Sequence, residues 1–167
     1  IFDGTVDFDP GAGTINLTSA GYYDIFLQKL DTNGNLLWVK RIGGANDDYG
    51  LSITADLGGN IYSTGSFQET VDFDPGAGTT KLISKGAEDI FIIKFDANGN
   101  FLGVKQMGGT SNDEGNSITT DVTGNIYSIG NFQGTVDFDP DAGTTSLTSV
   151  GKYDIFVQKL FSPCITT

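Results

Sequence analysis

Apolar and polar residues alternate over short stretches that are cut off by glycine, proline and Asx residues, a pattern of period two that predicts strands and tight turns. Residues 89–95, DIFIIKF, form a nearly continuous apolar run of strand length, which predicts a strand buried on both faces. The turn Asp96-Ala97-Asn98-Gly99-Asn100 follows, and its Asn and Gly residues suit a hairpin whose return strand is residues 101–107. A second pair is predicted from residues 117–120 and 126–130, joined over residues 121–125. Residues 70–74 run as a strand end that breaks at Pro75-Gly76-Ala77-Gly78 and resumes at Thr79. No segment carries a helical period.

The same pattern returns every 65 residues. Phe2, Phe67 and Phe132 open three copies, each followed by TVDFDPGAGT or, from Thr135, TVDFDPDAGT. Asp24-Ile25-Phe26 matches Asp89-Ile90-Phe91 and Asp154-Ile155-Phe156, and Gly59-Asn60-Ile61-Tyr62-Ser63 matches Gly124-Asn125-Ile126-Tyr127-Ser128. Copies this alike predict one supersecondary unit stacked on the next. The chain divides into repeat 1 at residues 1–66 with an incomplete blade at its N-terminal end, repeat 2 at 67–131, a truncated repeat 3 at 132–160, and a tail at 161–167. Four main strands per period predict an all-β fold, a β-propeller-type repeat array of four-stranded antiparallel blades, of which about two and a half repeats are present. On that reading Phe26, Phe91 and Phe156 are buried in equivalent places.

Composition narrows the function. A formal charge of −12 repels phosphate backbones and anionic lipid, which argues against nucleic acid and acidic membrane surfaces as partners. Histidine is absent, removing the commonest general base and transition-metal ligand. The lone Cys164 has no internal disulfide partner. No apolar run is long enough to span a bilayer, and a chain opening on Ile1 reads as a mature or excised piece.

The stretch DIFLQKLDTNGNLLWVKRIGG at residues 24–44, followed downstream by Ser-Ile-Thr, an Asp and GNIYSTG, resembles the bacterial beta-propeller repeats called SBBP repeats. The resemblance extends over essentially the whole chain. It implies a large extracellular or cell-surface protein of many such repeats without assigned activity, and it brings no catalytic residues. Propellers close with at least four blades, more than this chain holds.

Several motifs carry candidate chemistry. In the DFDP loops Asp7 with Asp9, Asp72 with Asp74, and Asp137 with Asp139 set two carboxylates beside glycine-rich backbone, a calcium-like arrangement of oxygens. The spacing lacks the bidentate Glu of a helix–loop–helix calcium site, and the same Asp residues serve equally to hold turn amides. Asp31-Thr32-Asn33-Gly34-Asn35 alternates oxygen-bearing side chains but reads more simply as a hairpin turn. Asp31, Gly34 and Trp38 form a D-x-x-G-x-x-x-W pattern similar to the docking motif of quinoprotein propellers, although Gly103 stands where Trp38 would recur. Trp38 is a packing residue between blades or an aromatic on which a sugar ring stacks. Lys29, Lys94 and Lys159 recur on an otherwise apolar strand and are expected to reach the rim or a carboxylate.

These residues leave three functional classes. First is a noncatalytic structural or adhesive module of an extracellular protein, paired head-to-tail with its own kind as a ring or filament or set among flanking repeats of one polypeptide. Second is a calcium- or carbohydrate-binding, lectin-like propeller. Third is a glycoside hydrolase, for which two carboxylates suffice. The first is favoured because every candidate carboxylate recurs in every copy and no nonrepeated polar cluster is visible along the chain. The amino end holds the later strands of a blade and the carboxyl end the earlier ones, so each has roughly what the other lacks.

Overall fold

The computed structural model describes residues 1–161 and Ile165, so Cys164 lies outside the described residues. Every regular element among them is a β-strand. β1 (Thr5–Asp7) pairs with β2 (Asn16–Thr18), β3 (Ile25–Leu30) with β4 (Leu36–Ile42), and β5 (Tyr49–Ala55) with β6 (Ile61–Phe67). β7 (Thr70–Asp72) pairs with β8 (Lys81–Ile83), and β9 (Asp89–Phe95) with β10 (Phe101–Gly109). β11 (Asp113–Thr120) pairs with β12 (Ile126–Phe132) and β13 (Thr135–Asp137) with β14 (Ser146–Thr148), and β15 (Asp154–Leu160) lies against β12. All of these ladders are antiparallel.

The middle of the chain forms the largest sheet, in the order β14-β13-β10-β9-β6-β5. Its four long strands, β5, β6, β9 and β10, come from residues 49–109, so the sheet straddles the copy boundary at Phe67. β11, β12 and β15 form the corresponding sheet on one side, and β3 with β4 lie on the other. We refer to these three groups as the first (β3, β4), middle and last (β11, β12, β15) units.

The DFDP segment supplies more than a loop. Its two short strands form a separate hairpin in each copy, which adds two strands to the four expected per period. The last of these hairpins crosses between units, because Gly108 and Gly109 of β10 pair with Asp137 and Val136 of β13.

Two hydrophobic cores hold the units together. Ile25, Leu27 and Ile42 of the first unit meet Ile61, Phe67, Phe91, Ile93 and Phe95 of the middle one, with Val71 and Phe73 of the intervening hairpin between them. The opposite face of the middle unit, Tyr62, Ile90, Ile92 and Met107, meets Ile118, Ile126, Phe132, Phe156 and Leu160 of the last unit, with Val136 and Phe138 between. β9 is therefore buried on both faces along its whole length, as its apolar run requires.

A triad of phenylalanines recurs in each copy. The Phe67 and Phe73 centroids are 5.1 Å apart and those of Phe73 and Phe91 are 5.3 Å apart, in edge and tilted geometry. Phe2, Phe8 and Phe26, and Phe132, Phe138 and Phe156, repeat this arrangement. Equivalent burial does not follow. Phe91 and Phe156 are buried, but Phe26 is only half-buried, because the face it shares with Phe2 and Phe8 has no preceding unit against it.

Gly65 and Gly130 stand opposite Phe91 and Phe156 in the ladders. A Cβ on Gly65 would run into the Tyr49 carbonyl and one on Gly130 into the Glu114 carbonyl, so only glycine lets β6 and β12 approach their neighbours this closely.

Candidate functional site

Each DFDP carboxylate turns one oxygen onto the amides of its own loop. Asp7 Oδ1 accepts the amides of Asp9 and Ile15, and Asp9 Oδ1 accepts that of Gly11. Asp72 with Asp74, and Asp137 with Asp139, repeat the arrangement. Donation from these amides holds the Asp7 and Asp137 carboxyls below their ordinary range. No group of three or more acidic, cysteine or histidine side chains gathers among the described residues as a metal cage would need.

The Asp-x-x-Gly-Asn turns are hairpins. Asp31 Oδ1 accepts the amides of Asn33 and Asn35 while its Oδ2 accepts the Asn35 carboxamide, and Asp96 does the same with Asn98 and Asn100. Trp38 packs half-buried against the core between the first and middle units. A Cβ on Gly99 would sit 2.9 Å from its indole, so the turn of the middle unit covers part of the ring that a sugar would need.

Each recurring lysine has a carbonyl or an aromatic ring against its ammonium. Lys29 Nζ donates to the Ala97 carbonyl at 2.6 Å, while Lys94 and Lys159 lie 5.4 Å over the rings of Tyr62 and Tyr127. Their place on the strand puts each ammonium on an aromatic face or a carbonyl of the next turn, where the charge is partly compensated.

The seams between units hold the more informative chemistry. At the base of each seam sits a buried aspartate that opens an inner strand. Asp113 Oδ2 accepts the Gly109 amide of the middle unit at 2.8 Å and its Oδ1 the Gln133 amide at 3.0 Å. Asp48 does the same with Gly44 and Gln68. Burial pushes the Asp113 carboxyl up, with the charge of Asp89 adding to the effect. Burial pushes Asp48 up to about 7, against its two amide donors and with the charges of Asp24 and Asp47 adding to the effect.

Above these bases the two seams differ. In the first, the rings of Tyr23 and Tyr49 lie 6.3 Å apart, and the Tyr23 amide donates to Asp47. In the second, Glu88, Asn112, Glu114, Asn131 and Tyr153 line an open cavity of about 430 Å³. Glu88 and Asn112 are joined by a parallel bridge, and the Asp113 amide between the Asn112 and Glu114 positions donates to the Glu88 carbonyl at 3.0 Å. Glu114 faces Asn131 across the β11–β12 ladder, and Tyr153 immediately precedes β15. The Glu88 carboxylate accepts the Gln68 carboxamide at 3.0 Å, and the Asn131 carboxamide donates to Asn116 at 3.1 Å.

This is the nonrepeated polar cluster that is invisible along the chain. Its members are spread over residues 88–153 in four segments, and only the seam gathers them. A signal was nonetheless present: at the matching places of the first seam stand Tyr23, Asp47, Tyr49, Ser66 and Glu88, different at every position in copies that otherwise agree closely.

Comparison with known proteins bears on the fold. Residues 37–66 match the SBBP beta-propeller repeat, a stretch that runs through most of β4, across the first seam and through β5 and β6. An uncharacterized WD repeat-containing protein of Acanthamoeba polyphaga mimivirus is 30% identical over 117 residues, which is 62% of this chain and 8% of that protein. The regulatory protein FlaEY of Caulobacter vibrioides is 26% identical over 150 residues, 83% of this chain and 16% of its own length. The chain thus spans a small part of the curated relatives it matches.

Proposed function

We propose that the chain is a noncatalytic β-propeller-type repeat module of an extracellular or cell-surface protein, in which β5, β6, β9 and β10 are one four-stranded blade and the flanking units are neighbouring blades set 65 residues apart. A single contrast carries this reading. Ile90 and Ile92 of the middle unit are fully buried beneath the last unit, whereas their counterparts Ile155 and Val157 are 76% and 72% exposed. An apolar face of this kind matches an interior seam whose neighbour is missing, and such faces are covered in working proteins.

The cover is a further repeat of the same kind, on the same polypeptide or on a second copy. Identical chains joined end to end would bring three strands (β11, β12, β15) to two (β3, β4), one more than the four long strands of the middle sheet. Their ends therefore stack as adjacent units instead of sharing one blade, and such head-to-tail contacts close into a ring or run on as a filament. No helix among the described residues is long and apolar enough to cross a membrane.

Light scattering across the micromolar range tests the reading. The expected result is a particle larger than one chain, reduced to one chain by Val157→Asp. A strictly monomeric, well-folded wild-type chain would remove self-association. A broad hydrolase screen tests the noncatalytic part, and fractionation of the source cells tests the location.

A further inference from the structure

We propose that the second seam holds a binding site for a neutral sugar ring, built by Glu88, Asn112, Glu114, Asn131 and Tyr153. All five side chains belong to this chain, and Tyr153 also borders the open face of Ile155 and Val157.

The matched seams make the argument. Where Tyr23 and Tyr49 fill the first seam with aromatic surface, the second places Glu88 and Glu114 and leaves a cavity of about 430 Å³, within the range of small-ligand sites. Closing a seam does not require this exchange, because the first seam is closed with Tyr23 and Tyr49 at the Glu88 and Glu114 positions, its own rim carboxylates Asp47 and Glu88 standing where Asn112 and Tyr153 stand in the second. Two of the five side chains are held in place, Glu88 by Gln68 and Asn131 by Asn116. The Glu114 carboxylate and the Asn112 carboxamide make no side-chain hydrogen bond among the described residues and are free for a ligand. The backbone beneath is tied across the seam by the Glu88–Asn112 bridge and by Asp113, so the site is preorganised.

The donor and acceptor inventory selects the ligand. Two carboxylates only accept, two carboxamides both donate and accept, and the phenol does both. Each sugar hydroxyl also donates and accepts, and carboxylates form strong charge-assisted bonds with hydroxyl donors. A divalent cation would use oxygens alone, leaving the amide N–H groups and the Tyr153 ring without a role, and calcium asks for six to eight oxygens. Tyr153, 42% exposed at the rim, presents an amphipathic surface suited to the C–H face of a pyranose.

Saturation-transfer NMR on the full chain with glucose, galactose, mannose and N-acetylglucosamine tests the proposal. At least one sugar should show transfer, and Glu114→Ala and Tyr153→Ala should each weaken its binding at least tenfold while leaving the melting curve in place. Leu57→Ala, on a turn far from the seam, should change nothing. Failure of all four sugars, or binding indifferent to both seam variants, would overturn the site. So would calcium binding that depends on Glu114 with no sugar bound. Glu114-dependent release of reducing ends from an oligosaccharide would keep the site and overturn the noncatalytic reading instead.

Discussion

The two seams of this chain share a plan and differ in their rims. Both have a core of branched aliphatics and phenylalanines, and both are closed at the base by a buried aspartate bound to an amide on each side. Only the first is capped by two tyrosine rings, while the second carries a pocket of carboxylates and carboxamides. Core and base are set by the stacking of units and recur with it. Rim positions bear no such load, so the copies can diverge there, and chemistry has room to appear.

The largest expected effect tests whether the cores are alike. Ile93 lies in the first seam and Ile92 in the second, both fully buried on the same strand. Truncating either to alanine should cost about 2–5 kcal/mol in denaturant unfolding, whereas Val157→Ala on the open face should stay within about 0.5 kcal/mol. A cheap Ile92→Ala would show that the last unit is only loosely docked.

The buried aspartates give a pH signature. Asp48 has an ordinary value of 3.8 in the unfolded chain and about 7 in the fold. Below 3.8 both states hold the proton; between 3.8 and 7 the unfolded chain releases it while the fold keeps it, so stability falls as pH rises through that window. Asp113 and Asp89, also pushed up by burial, act in the same direction. The melting temperature should be several degrees higher at pH 5 than at pH 8. Asp48→Asn should flatten this slope more than Asp113→Asn does, because the charged Asp47 beside Asp48 is replaced by neutral Asn112 in the second seam. Equal flattening would mean that burial alone sets both values.

At the rims the order reverses between stability and binding. Tyr49→Ala should cost about 1–2 kcal/mol through lost ring contact, and Glu114→Ala about 0.5 kcal/mol or less, read from paired thermal melts. A large loss for Glu114→Ala would make it a structural residue.

The hairpins permit a finer comparison. Glu69 adopts φ of 52° at the turn where the other copies have Gly4 and Gly134 at 67° and 74°. Glu69→Gly should therefore stabilise the middle unit by about 1 kcal/mol, and a neutral or destabilising result would show that the Glu side chain offsets the strain. Smallest of all is calcium. With the DFDP carboxylates already accepting loop amides, melting curves in chelator and in millimolar calcium should coincide, and a rise that tracks occupancy and is lost in Asp7→Asn and Asp9→Asn would place the ion there.

Much of the fold was legible because it depends on local and repeated features. The apolar run at residues 89–95 marked β9 to the residue, and the Asp-x-x-Gly-Asn turns marked the hairpins, since both signals are short in range. The DFDP strands were harder to read: three residues give too little alternation to separate a strand from a loop. Trp38 and the lysines could be placed on strands, but their partners Gly99, Ala97, Tyr62 and Tyr127 lie on other strands or turns, where no spacing rule reaches.

The sequence by itself determined that the chain is all-β and that its copies share one pattern, because strand and turn propensities act between near neighbours. Tertiary structure alone decided which copies are covered. Phe26 and Phe91 occupy the same place in their copies and differ in burial, as do Ile92 and Val157, because burial belongs to the neighbour and not to the residue. It alone also brought Glu88, Asn112, Glu114, Asn131 and Tyr153 to one cavity, since a seam joins residues that the chain holds far apart.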